Sequence, residues 1–167
     1  KSRTKTSLYG VAYGNNTFVA VGYKGTIITS SDGTTWTKRK SRTSIEFNEV
    51  IYANNAYLAF GYKGVIRTSS NGKSWIKRKS GTKKSLNGAT YVNFTFVAVG
   101  HTGTILSSLK GKSWTKNKSG TKKNLRGIAY GNDKFVMVGT DELVIAAKSG
   151  GGGNLDAWVS YIDQDWT

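Results

Sequence analysis

The sequence repeats itself at a fixed step of 39 residues, and no other feature constrains its fold as tightly. Tyr13, Tyr52, Tyr91 and Tyr130 keep that step, as do Phe18, Tyr57, Phe96 and Phe135, and Gly22, Gly61, Gly100 and Gly139. Trp36, Trp75 and Trp114 keep it too. Trp158 follows after 44 residues, because the run Gly150 to Gly153 lengthens one turn. A repeat of this size is one supersecondary unit that cannot bury its own apolar surface and has to stack on its neighbours.

Within the first unit, LYGVAY, TFVAVG, TIITS and WTKRK are short β-rich runs, separated by the turn residues GNN, YKG and SDGTT. The spacing predicts a four-stranded antiparallel meander, with strands A to D. In TFVAVG the residues Phe18, Ala20 and Gly22 point to one face and Val19 and Val21 to the other. Both faces are apolar, as in a sheet sandwiched between others. Strand D is charged beyond its Trp and suits a solvated outer edge. The expected fold is therefore all-β: a β-propeller of four 39-residue four-stranded blades in one domain, 1–167, with repeats at about 8–46, 47–85, 86–124 and 125–167. Three forms are open: a closed four-bladed ring, part of a larger ring, or a ring completed by another copy.

The turns SSDGTTW (Ser30 to Trp36) and SSNGKSW (Ser69 to Trp75) resemble the Asp-box of bacterial neuraminidase repeats. With the preceding GTI strand, the unit is similar to the propeller repeats of photosystem II assembly factors and of related bacterial surface propellers. The resemblance covers nearly the whole chain. It implies the fold and leaves function open, since such repeats occur in sialidases, assembly factors and cell-surface binding proteins.

Composition narrows the chemistry. There is no Cys, which excludes disulfides and thiolate catalysis, and no apolar run of membrane-spanning length or signal-peptide character, so a soluble chain without a membrane span is expected. Asp32 and Asn71 sit at Gly-containing turns and are expected to bond their own backbone. The Trp residues, one per unit in the same slot, are expected to pack. His101 is the single histidine and cannot build an ordinary zinc site without further ligands, so no metal and no cofactor are expected. By resemblance a sialidase needs three arginines converging on a carboxylate, a Tyr nucleophile and acidic partners. The arginines at 3, 39, 42, 67, 78 and 126 fall mostly on D strands and D–A linkers of different blades, with Glu46 and Glu49 the nearest acids. No enzyme is expected. The Gly150 to Gly153 run lacks a following Lys-Ser or Lys-Thr and is not a phosphate loop.

Charge is the remaining signal: 25 Lys and Arg against nine Asp and Glu, a formal net charge of +16. In a meander, B–C turns and D–A linkers emerge on one side and A–B and C–D turns on the other. Tyr23, Lys24, Tyr62, Lys63 and His101 lie in B–C turns; Arg42, Lys83, Lys84, Lys122 and Lys123 lie in D–A linkers; Arg126 opens a strand A. These residues form the expected ligand face. The A–B turns GNN, ANN and VNF are nearly uncharged. Such a face attracts an anionic partner, and the preponderance of Lys over Arg suits diffuse attraction. The first reading is a non-enzymatic module that engages an anionic polymer or cell-surface glycan. Its alternatives are a protein-docking scaffold or assembly factor with an acidic protein partner, and a fragment of a sialidase-like glycosidase. Nucleic acid is possible and not favoured, a homo-oligomer is possible, and the expected location is secreted or on the cell surface.

Overall fold

The computed structural model describes residues 4–148. Trp158 and the rest of the fourth strand D lie outside the described residues. The chain divides between Leu86 and Asn87 into two compact units, and each is described by itself. No helix among the described residues is long and apolar enough to cross a membrane.

The first unit holds two repeats. One runs β1 (Leu8–Gly14), β2 (Thr17–Gly22), β3 (Ile27–Ser30) and β4 (Thr37–Arg39). The other runs β5 (Phe47–Ala53), β6 (Ala56–Gly61), β7 (Ile66–Ser69) and β8 (Ile76–Arg78). Each is a four-stranded antiparallel sheet in sequence order. Beyond Leu86 come β9 (Leu86–Val92), β10 (Thr95–Gly100), β11 (Thr104–Ser108) and β12 (Thr115–Asn117), again a four-stranded sheet. They are followed by β13 (Leu125–Gly131), β14 (Lys134–Gly139) and β15 (Val144–Lys148), the described part of the fourth.

The meanders form because their turns are chemically specified. Both central residues of the A–B turns lie in the left-handed region, at Asn15 (φ 42°) and Asn16 (φ 53°) and at Asn54 (φ 48°) and Asn55 (φ 57°). Two consecutive positive φ angles give the hairpin turn whose twist matches the strands, and Asn is the side chain that tolerates them best. Packing then follows from two apolar faces. Val19, Val21 and Ile27 of the first repeat meet Phe47, Val50, Tyr57, Ala59, Val65 and Trp75 of the second in one buried cluster. In the second unit Val97, Val99 and Ile105 meet Leu125, Phe135, Met137, Ile145 and Ala147 in the same pattern. The recurring aromatic slots meet as tilted ring pairs within each repeat: Tyr13 with Phe18 at 4.5 Å, Tyr52 with Tyr57 at 4.7 Å, Tyr91 with Phe96 at 4.4 Å and Tyr130 with Phe135 at 4.8 Å between centroids.

The C–D turns are closed by the side chains singled out in the sequence. Asp32 Oδ1 accepts from the backbone N–H of Thr34 (2.8 Å) and Thr35 (2.7 Å) and from the Ser30 hydroxyl (2.8 Å). Asn71 Oδ1 accepts from Lys73 (2.9 Å) and Ser74 (3.0 Å). Trp36 and Trp75 donate their indole N–H to the carbonyls of Gly33 and Gly72 at 3.1 and 2.9 Å, and Trp75 is buried. Both residue types are therefore structural in the first unit. The Thr35 and Thr34 N–H groups hold the Asp32 carboxyl well below its ordinary value of 3.8. The folded-state value is lowered, so the stability Asp32 contributes is present above the unfolded value and lost as pH falls through the folded one. Asp32→Ala is expected to lower the Tm at neutral pH, with the gap to the parent narrowing below about pH 4 as the parent loses this contribution. Asp32→Asn should keep most of the parent Tm, because Asn71 makes the same bonds one repeat on. Thermal melts of the two variants across pH check this, and an Asn variant as damaged as the Ala variant would refute it.

Candidate ligand-binding face

Each B–C turn is pressed against a D–A linker. In the first unit Tyr23–Gly25 and Tyr62–Gly64 form short 3-10 turns. The Tyr23 N–H donates to the Ser7 carbonyl at 2.9 Å and the Tyr62 N–H to the Glu46 carbonyl at 3.0 Å. Gly64 has φ +70°, and a Cβ there would stand 2.3 Å from the Thr82 carbonyl oxygen. Only glycine both adopts that backbone and lets the linker come so close. The linkers are fixed internally as well. The Ser80 hydroxyl donates to the Thr82 carbonyl at 3.1 Å, and the Lys84 N–H donates to Thr82 Oγ1 at 3.0 Å. The backbone of Lys83 and Lys84 is thus anchored while both side chains stay exposed.

Lys24 and Lys63 occupy the left-handed region at φ 52° and 53°. Their ammonium groups lie over the rings of Tyr23 and Tyr62, at 5.5 and 5.6 Å from the centroids. The ring quadrupole attracts the cation and steadies the charge at the turn. Lys63 also borders a groove of about 400 Å³ whose walls are Ile45, Val65 and Ile66 together with Lys77, Arg78, Lys79 and the linker up to Lys83. Five cationic and three aliphatic residues line this groove, and no acid does. Arg78 is partly committed, its Nε donating to Thr68 Oγ1 at 2.9 Å.

Paired with Lys77 of the groove's strand β8 stands Arg67 on β7, where the other repeats carry Ile28, Leu106 and Ile145. It is 7% exposed. Its Nη2 donates to the Arg42 carbonyl at 2.9 Å, and its Nε is buried without a partner. Burial, with the Arg42 charge second, pushes the Arg67 guanidinium down from its ordinary value. Arg42 has φ 56°, where the next linkers use Gly81 and Gly120 at φ 73°. The Glu49 carboxylate accepts the Val50 N–H at 2.9 Å, and burial pushes its carboxyl upward.

The second unit carries the remaining candidates in a different chemistry. The His101 carbonyl accepts the Thr104 hydroxyl at 2.7 Å, so the turn is closed through its backbone. Gly103 N–H donates to the Lys123 carbonyl at 2.7 Å. Lys122 is exposed. Lys123 Nζ donates to the Asp141 carbonyl at 3.2 Å, and the fourth B–C turn offers Asp141 and Glu142, at φ 57° and 59°, where the first two repeats offer Lys and Gly. Arg126 is exposed on β13. Among the described residues no three His, Cys, Asp or Glu form a group that could hold a metal ion.

Neither a protein-family profile nor the sequence of a characterised protein matches the chain. Solved structures do. The computationally designed Ika4 protein aligns with a TM-score of 0.70 at 14% identity, over 88% of this chain and 94% of that one. YCF48 from Cyanidioschyzon merolae aligns with a TM-score of 0.71 at 15% identity, over 98% of this chain and 58% of that one. YCF48 bound to D1 peptide aligns at 0.64 and 14% identity, over 86% of this chain and 49% of that one. The chain has a β-propeller fold. It spans about half the length of the YCF48 chains, and at such identity the likeness concerns the fold alone.

In this propeller the groove gathers Lys63 and Lys83 from the expected set, with Tyr62 beneath Lys63. Tyr23 and Lys24 repeat the same turn one blade earlier, and Arg42 joins through its carbonyl to Arg67. Sequence reasoning assigned Lys77, Arg78 and Lys79 to a solvated edge and passed over Arg67. The signals for them were the recurrence of KRK at the end of strand D and an Arg at a position that is Ile or Leu in every other repeat.

Proposed function

We propose that this chain is a non-enzymatic docking module that takes an acidic protein segment on the side formed by its B–C turns and D–A linkers. The groove beside Lys63 carries the reading: aliphatic walls under a cationic rim suit an extended segment with apolar and carboxylate side chains, more than an uncharged sugar. YCF48, a protein of the same fold, is found bound to a peptide, which supports a peptide as the class of ligand. The recurrent TKK of the linkers keeps an anionic polymer as the second reading, and salt separates the two. Attraction to a polyanion weakens steeply with ionic strength, whereas a segment seated on apolar walls weakens less.

The triple variant Lys63→Ser, Lys77→Ser, Lys83→Ser is expected to reduce affinity for a fluorescent Asp/Glu-rich peptide with interspersed Leu by about tenfold or more, in line with the loss of charge-assisted contacts. Its Tm should stay within about a degree or two of the parent, since exposed cations contribute little to stability. Anisotropy at two salt concentrations checks this, with the same peptide carrying Gln and Asn as control. Equal binding of both peptides, or of parent and variant, would remove the docking reading. Retention on heparin, abolished by Lys83→Ser, Lys84→Ser, Lys122→Ser and Lys123→Ser together while the peptide never binds, would favour the polymer.

A further inference from the structure

Three apolar positions that are sealed in the first and third blades are open in the fourth. Val136, Val138 and Val144 are 38%, 48% and 52% exposed, whereas their counterparts Val19, Val21 and Ile27, and Val97, Val99 and Ile105, are 0% exposed. Within each unit those counterparts are what a blade presents to its successor. The face that receives a preceding blade is open on the first blade. Leu8, Val11 and Tyr13 are 37%, 63% and 56% exposed, against 0% for Phe47 and 2% for Val50 and a half-buried Tyr52 that packs on the first cluster. Exposed apolar surface of this extent on a soluble chain marks an interaction site.

We propose that a second copy of this chain covers both faces, the fourth blade of each copy stacking on the first blade of its partner. The interface is already written twice inside the chain. Val136, Val138 and Val144 replace Val19, Val21 and Ile27 almost without change, and Leu8, Val11 and Tyr13 replace Phe47, Val50 and Tyr52. The strand β1 bears no charged side chain, so the receiving face buries no ion. The two faces differ, so the contact is heterologous and satisfies both only if it closes. Two copies close it with two identical contacts and bring eight blades together. Chain length agrees: this chain covers 94% of the designed Ika4 chain but 48% of the designed Ika8 chain, so the same fold is also built from chains about twice as long.

Sedimentation velocity and light scattering on the unaltered chain test the proposal without any variant. The expected result is a species of twice the 18.1 kDa chain mass that does not grow with concentration. A monomer at every concentration, or a series of ever larger species, overturns it. Val11→Glu and Val138→Lys then test the faces. Both sites are exposed on the single chain, so each variant should fold with the parent's circular dichroism spectrum and run as a monomer. Mixed in equal amounts, the two variants should recover the double mass, because their heterodimer has one unaltered contact and one Glu–Lys contact. Variants that remain dimeric alone, or a mixture that stays monomeric, would show that other surfaces make the contact.

Discussion

Tyr57→Ala is expected to be the most damaging single substitution in the first unit, at a cost of about 3–5 kcal/mol, the range for deleting a buried aromatic side chain. Tyr57 is fully buried, stacks on Tyr52 and lies 6.4 Å from Trp75 between centroids. Its single hydroxyl proton is shared between the carbonyls of Gly14 and, at 2.7 Å, Thr17. It therefore ties the second blade to the A–B turn of the first as well as filling the space between them. Tyr57→Phe should cost less, about 1–2 kcal/mol for the loss of the one donor that serves both carbonyls, because Phe18, Phe96 and Phe135 fill this slot elsewhere. Burial pushes the Tyr57 hydroxyl above its ordinary value of 10. The unfolded chain then loses this proton first, so the stability present below pH 10 is lost as pH rises through the unfolded and folded values. The Phe variant should lose less stability than the parent on that alkaline limb. Urea titrations at pH 7 and pH 10 check both statements. A Phe variant as unstable as the Ala variant would show that the hydroxyl, not the ring, holds the interface.

Arg67→Ile is expected to act in the opposite direction, raising stability by about 1–4 kcal/mol, as when a buried ionic group gives way to a packed apolar one. The guanidinium has been taken out of water with one hydrogen bond, to the Arg42 carbonyl, and no carboxylate beside it among the described interactions. Ile28, Leu106 and Ile145 show that the slot accepts an aliphatic chain in every other repeat, each of them buried. The Arg42 carbonyl lies in an exposed linker and can turn to water. A calorimetric melt should show a Tm several degrees above the parent, given about 2–4 °C per kcal/mol for a chain of this size. A fall in Tm would mean that the single hydrogen bond fixes the linker more than the lost desolvation cost repays. A buried arginine at a place where the other repeats carry Ile or Leu breaks the local pattern in the way expected of a functional position.

The parts of this protein that the sequence specifies are those whose chemistry is local. Asn- and Gly-containing turns, Asp32 and Asn71 folding onto the next three residues, and apolar alternation within each strand all act over a few positions, and the 39-residue step repeats them. They were legible without coordinates, and with them the meander and the propeller fold. Tertiary structure decided which of the many cations share a site, because that depends on contacts between residues distant in sequence. Antiparallel pairing of β7 with β8 sets Ile66 opposite Arg78 and so brings the KRK of strand D, read as a solvated edge, into the groove beside Lys63. The same kind of contact spends Lys123 on the Asp141 carbonyl. It also buries Arg67 against the Arg42 carbonyl, and leaves Val138 open where its repeat partners Val21 and Val99 are closed. A repeating sequence assigns every copy the same role, and only the packing of each copy against what stands beside it makes the copies differ.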